Sequence, residues 1–118
     1  MAKKKKKFNA KTKIVAAIRR IYYHSAFRRN LAVRAKVDKD YYRCEKCRKL
    51  CEKVEADHIN PVVPLTGWAG YDTFVENLFC DESNIQILCE PCHGKKTAFE
   101  ATERKRHRAL AKGKKDEE

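Results

Sequence analysis

The chain reads as a small α+β domain in which short strands lie between helices and a staple substitutes for a large core. Three observations predict it. Cys44-x2-Cys47 and Cys89-x2-Cys92 form two matching pairs, the spacing with which a tight knuckle aims two sulfurs at one point. Two strand-like strings, Cys51 to Ile59 and Asn84 to Cys89, lie beside these pairs, and stretches of helical period precede and follow them. At 118 residues the chain makes one domain at most, with a core too small to be secure alone. A four-thiolate zinc site on Cys44, Cys47, Cys89 and Cys92 supplies the staple.

Residues 1–10 are read as a disordered basic tail around Lys3 to Lys7, with no apolar stretch of the kind a signal peptide carries. A nuclear address is the rival reading. Residues 11–38 form a basic helical region. From Lys11 to Tyr23, Ile14, Ile18, Ile21 and Tyr22 recur at helical spacing, which leaves Arg19 and Arg20 off the apolar stripe. Ser25 caps a second helix whose apolar face is Phe27, Leu31 and Ala35, with Arg28, Arg29 and Arg34 facing away. His24 sits at the junction as a turn residue.

Residues 39–111 carry the zinc-stabilised part. Tyr41 to Cys44 enters the first knuckle as a strand. The next strand, Cys51 to Ile59, delivers Asp57 and His58 at its end before Pro61 and Pro64 stop it. The connection to Asn84 holds Trp68, Tyr71, Phe74, Leu78 and Phe79. That is too apolar for a polar linker, so it reads as a packed loop with one helical turn capped by Asp72. These aromatics read as core rather than as base-stacking platforms, and among them Trp68, beside Gly67 and Gly70, is the one to test for nucleic-acid contact. Asn84 to Cys89 is a buried strand, and Pro91 opens a helix to about Ala111 with Phe99 on its zinc-facing side. Gly113 ends that helix, and residues 112–118 are a frayed tail.

Disulfides are the alternative for six cysteines, but no secretory signal is present and C-x2-C is poor disulfide spacing. Cys51 and Cys80 remain over as buried thiols. Cys51, four residues past Cys47, is the substitute should another ligand be needed.

The net charge of +12 and pI near 9.6 point to a polyanionic partner. Distribution says more than the total. Residues 1–36 hold thirteen Lys/Arg and no acid, whereas none occurs between Lys53 and Lys95, where Glu55, Asp57, Asp72, Glu76, Asp81, Glu82 and Glu90 lie. Basic ends around an acidic centre suit a chain that grips phosphates and holds a divalent cation. Arg19, Arg20, Arg28 and Arg29 are the expected phosphate contacts, with plain solubility as the alternative. No stretch is long and apolar enough for a membrane.

One adjacency suggests a second site. Cys92 and His93 diverge by about 100° at the start of a helix. If Cys92 faces the zinc, His93 looks elsewhere, and Asp57 and His58 are within its reach if their strand packs alongside. Asp57-His58-Ile59-Asn60-Pro61, then Asn84, then Cys92-His93 followed by Lys96-Thr97 make a joint pattern. In it the chain resembles the HNH endonucleases, most closely the small zinc-knuckle members of bacteriophages, over roughly residues 40–100.

The resemblance implies a ββα-metal finger. It implies that Asp57 and His93 bind one catalytic divalent ion, Mg²⁺ or Mn²⁺, although such a mixed set also accepts Ni²⁺, Co²⁺ or Zn²⁺. It implies His58 as general base and Asn84 as an orienter that ties down the loop and fixes the His58 ring. Lys95 and Lys96 are expected to hold a non-scissile phosphate at the helix start, and the products to be 5′-phosphate and 3′-hydroxyl ends. The expected function is therefore a metal-dependent DNA endonuclease, nicking or cutting both strands, monomeric or weakly dimeric, in the cytoplasm of a bacterial host. Two alternatives stand beside it: a non-catalytic zinc-knuckle protein that binds nucleic acid, and a packaging nuclease active with a phage terminase.

Overall fold

The computed structural model describes residues 9–117, so the lysine run of the tail lies outside it. Helix α1 spans Ala10–Tyr23, and α2 spans Ala26–Asn30 and runs into a 3-10 helix, Leu31–Ala35. Strands β1 (Tyr42–Arg43), β2 (Leu50–Cys51) and β3 (Val54–His58) follow, then α3 (Tyr71–Leu78), β4 (Ile85–Cys89) and the long α4 (Glu90–Glu117). The architecture is α+β. Among the described residues no helix is long and apolar enough to cross a membrane.

Local chemistry sets the helix starts. The Asn9 side chain accepts from the Thr12 N–H at 3.1 Å, and Ser25 Oγ accepts from Arg28 N at 3.2 Å; each satisfies a donor the helix cannot. Helix α3 begins after Gly70, whose φ of +100° is a left-handed value that favours glycine. Asp72 thus stands in the first turn of a two-turn helix rather than at its cap.

The strand expected over Cys51 to Ile59 is two strands with a break at Glu52 and Lys53. β2 pairs antiparallel with β1, Tyr42 opposite Cys51, and closes the first knuckle. Inside that knuckle Arg48 takes φ 66° and donates its N–H to the Cys44 carbonyl at 3.0 Å. β3 pairs antiparallel with β4, from Val54↔Cys89 to His58↔Ile85. The break frees the hairpin to fold back on the cysteines while β3 continues to the site.

Three small clusters share the core. Leu31, Ala35, Ile85 and Ile87 form one, with Phe27, Val54 and Cys80 against it. Tyr22, Phe74 and Leu78 form another, covered by Val15, Ile18, Val63 and Trp68. Cys44, Leu88 and Cys89 form the third, with Cys47, Cys51 and Cys92 around them.

Three expectations change here. The inward stripe of α1 is Val15, Ile18 and Tyr22, whereas Ile14 and Ile21 are exposed; α1 carries two overlapping apolar stripes, and packing on α3 selects one. Phe99 is 63% exposed rather than packed on the knuckles, since seven residues carry the helix about 10 Å beyond Cys92. Trp68 is half-buried, edge-on to Tyr71 and beside Phe74 with the Lys11 ammonium 4.1 Å over its ring, the packing expected of these aromatics. Finally, α4 runs through Gly113 to Glu117; one glycine costs a helix only about 1 kcal/mol, and its neighbours are good helix formers.

Arg34 does not face solvent alone. Its guanidinium forks onto Glu45, Nε to Oε2 at 2.9 Å and Nη2 to Oε1 at 2.7 Å, and also donates to the carbonyls of Glu82 and Ile85. Glu45 Oε1 accepts the Ile87 N–H at 2.8 Å. Burial opposes ionisation of Glu45, but Arg34 and that N–H hold its carboxyl below the usual glutamate range. The pair ties the helical region to the knuckle and to β4.

Candidate active site and metal centre

The sulfurs of Cys44, Cys47, Cys89 and Cys92 all lie within 4.8 Å of one another, and Cys47 and Cys89 are 3.7 Å apart. Four thiolates about 2.3 Å from one tetrahedral ion would stand about 3.8 Å apart, so the residues fit a structural metal. The electrostatics agree. Burial works against the Cys44 thiolate, yet N–H groups of Cys47, Cys89 and Lys46 bring that thiol down to about 6. The Cys89 sulfur, followed by burial, pushes Cys92 up to about 12. Four crowded sulfurs do not all ionise unless a cation compensates them. Cys51 is outside the quartet: its thiol contacts the Tyr42 carbonyl at 3.5 Å, and burial raises it. Cys80 packs beside the first core cluster.

The second site lies where β3 ends and α4 begins. Asp57 and His58 are neighbours on a strand, so their side chains leave on opposite faces. Both line one cleft of about 510 Å³, which wraps the strand end and is walled by Arg19 and Tyr23 of α1, Pro61 to Val63, and His93, Lys96, Glu100 and Arg104 of α4. His93 Nε2 is 3.7 Å from Asp57 Oδ1, and His93 Nδ1 is 3.3 Å from Glu55 Oε2. Nitrogen and oxygen donors this close fit a shared divalent ion. A carboxylate on the far nitrogen is the usual way a ligating imidazole is oriented.

His58 Nε2 lies 3.0 Å from the Leu78 carbonyl. A carbonyl only accepts, so Nε2 carries the hydrogen, and in the neutral ring Nδ1 keeps the lone pair. Asn84 ties the loop rather than the ring: its Oδ1 accepts from Asn60 N at 3.1 Å and its carbonyl from Ile59 N at 2.8 Å. The ring is held by Leu78 instead, because α3 brings its C-terminal carbonyls beside β3.

The basic residues divide. Arg20, Arg29 and Lys95 are exposed, Arg28 lies half-buried over Tyr23 with its guanidinium 5.3 Å from the ring centroid, and Arg19 reaches the cleft wall. Lys96 turns inward. Its side chain is 15% exposed, and its ammonium meets Asp57 Oδ2 at 3.0 Å, the His58 carbonyl at 2.8 Å, and Glu100. Burial lowers its affinity for a proton, but Glu100 and Asp57 raise it above the usual lysine range. With three acceptors on three N–H bonds, it has none left for a phosphate.

Sequence reasoning missed Glu55, Leu78, Gln86, Glu100 and Arg104. Arg104 donates to the carbonyls of Val63 at 2.8 Å and Pro64 at 3.1 Å, anchoring the long connection. A polar Gln86 inside the apolar run Ile85 to Cys89 was the one available signal.

Residues 44–99 match a family model described as HNH endonuclease. A protein of Lactococcus phage SK1 described as a probable HNH endonuclease is 40% identical over 70 residues, which cover 58% of this chain and 68% of that protein. No solved structure matches the chain significantly.

Proposed function

The chain belongs to the HNH endonuclease family, and from that premise we propose that it is a metal-dependent DNA endonuclease with His58 as its general base. The observation that carries the reading is the Leu78 carbonyl on His58 Nε2. It fixes the tautomer and leaves Nδ1 to take a proton from the attacking water. Across the same cleft, Asp57 and His93 are the residues that would hold the catalytic cation, with Mg²⁺ or Mn²⁺ first and Ni²⁺, Co²⁺ or Zn²⁺ compatible with the donors. When bound, that ion supplies Lewis-acid stabilisation of the scissile phosphate and the departing oxygen.

The chain's own groups do the remaining work. Asn84 holds the turn after His58, which keeps the base from swinging out. Arg19 offers a guanidinium at the cleft wall, and Lys95, Arg20, Arg28 and Arg29 are proposed to grip phosphates farther along the duplex. Zinc in the four-cysteine site holds the first knuckle against the start of α4. A pure binding module would use the basic helices and have no use for the cleft.

The test is a supercoiled plasmid incubated with zinc-loaded protein and Mg²⁺ or Mn²⁺. Wild type is expected to nick or linearise it, and His58→Ala to lose at least about 10²-fold in rate. Binding by both proteins without cleavage by either would replace this reading with the non-catalytic binder. Cleavage that appears only on adding a terminase would favour the packaging nuclease.

A further inference from the structure

Resting on the metal site proposed above, we infer that Gln86 is a positioning residue that, with Lys96, divides the Asp57 carboxylate so that one oxygen is kept for the ion. Gln86 stands directly opposite Asp57 in the β3–β4 ladder. Its Nε2 donates to Asp57 Oδ2 at 3.0 Å, and Lys96 Nζ meets that same oxygen at 3.0 Å. Oδ1 is left as the oxygen that faces His93.

The arrangement is cross-braced. His93 and Lys96 are three residues apart on α4 and project from one face, so a single helix approaches both oxygens of the carboxylate. Lys96 also holds the His58 carbonyl, and Glu100 holds Lys96. Gln86 approaches from the sheet. Together they restrict an Asp57 side chain that is 13% exposed to one orientation of its carboxylate plane. Without Gln86 the donor left on Oδ2 among the described residues is an ammonium, a point charge with no preference between two oxygens. The carboxylate can then rotate and offer Lys96 either one, which competes with the ion for Oδ1. Gln86 is the cleaner probe because its removal leaves every formal charge in place, whereas Lys96→Met also deletes a cation close to the proposed ion.

The experiment measures Mn²⁺ binding to zinc-loaded protein by the electron paramagnetic resonance signal of free Mn²⁺, for wild type and Gln86→Met. Zinc content and thermal melting serve as folding controls. The variant should keep its zinc and its fold, bind Mn²⁺ about 10-fold more weakly, and recover most of its plasmid-nicking rate when Mn²⁺ is raised to saturation. A role confined to sheet stability would not respond to Mn²⁺ in this way. Equal Mn²⁺ affinity in variant and wild type overturns the inference and leaves the endonuclease reading intact. If wild type takes up no Mn²⁺ beyond its zinc, the underlying metal site falls and this inference with it. Should Gln86→Met not fold, Gln86→Asn keeps polarity on the strand and withdraws the amide by one methylene. The same weakening is expected there, with the same refuting result.

Discussion

Removing the metal from the four-cysteine site should open the first knuckle while the helical half of the core persists. Ordering the eight residues from Cys44 to Cys51 costs about 1 kcal/mol each in backbone entropy, about 8 kcal/mol in all. Against that stand Leu88, fully buried in a cluster otherwise made of cysteines and contributing about 2–3 kcal/mol. Backbone hydrogen bonds from Cys44 N to Lys49 O, Glu45 N to Ile87 O and Arg48 N to Cys44 O add about 1 kcal/mol each, and the Arg34–Glu45 pair adds about 1–2 kcal/mol. The balance lies between about zero and about 2 kcal/mol unfavourable, so the closed knuckle is marginal without its metal. A structural zinc ion supplies far more than that, about 10–16 kcal/mol in small zinc domains.

The assay is hydrogen exchange followed by peptide, with and without 1,10-phenanthroline, after metal analysis has found about one tightly held zinc per chain. Protection should vanish over residues 42–51 and weaken at Leu88 and Cys89, while residues 71–78 change less. Cys44→Ser should behave like the stripped protein. Unchanged exchange over 42–51 after verified zinc removal would mean that the knuckle stands on its own packing, and the reasoning would be wrong.

Three further outcomes follow from the side-chain placements. Lys95→Ala should lower DNA affinity and reduce the slope of log K against log salt by about 0.9. Lys96→Met should leave that slope unchanged while lowering thermal stability and cleavage; fluorescence anisotropy across a salt series with the His58→Ala background separates the two. The Arg34–Glu45 latch is about one-third exposed, so after solvent screening Glu45→Gln should cost about 1–2 kcal/mol in urea melts. Because the folded Glu45 carboxyl is held below its ordinary range, its contribution is full above the usual glutamate pKa and fades as pH falls through the lowered value. The gap between wild type and variant should be level near neutrality and close only in acid.

Covalent spacing and local chemistry were legible without coordinates. Two C-x2-C pairs constrain their sulfurs through a few bonds each, Ser25 caps the helix that follows it, and the divergence of Cys92 and His93 is a property of any helix. These sufficed for the four-cysteine staple, the α+β class and the turning of His93 away from Cys92. What they do not contain is which donor meets which acceptor from a distant segment. Lys96 reads as a surface cation by composition, and Arg34 as one of several basic residues. Only the packing of α4 on β3, and of the 3-10 helix on β4, shows that each also meets carboxylates and carbonyls from other segments of the chain. The hold on His58 is of the same kind, since a backbone carbonyl such as that of Leu78 is present at every residue and leaves no mark in the sequence. Local bonding thus determined the knuckles and the helix starts, and tertiary packing alone decided which distant side chains and carbonyls meet.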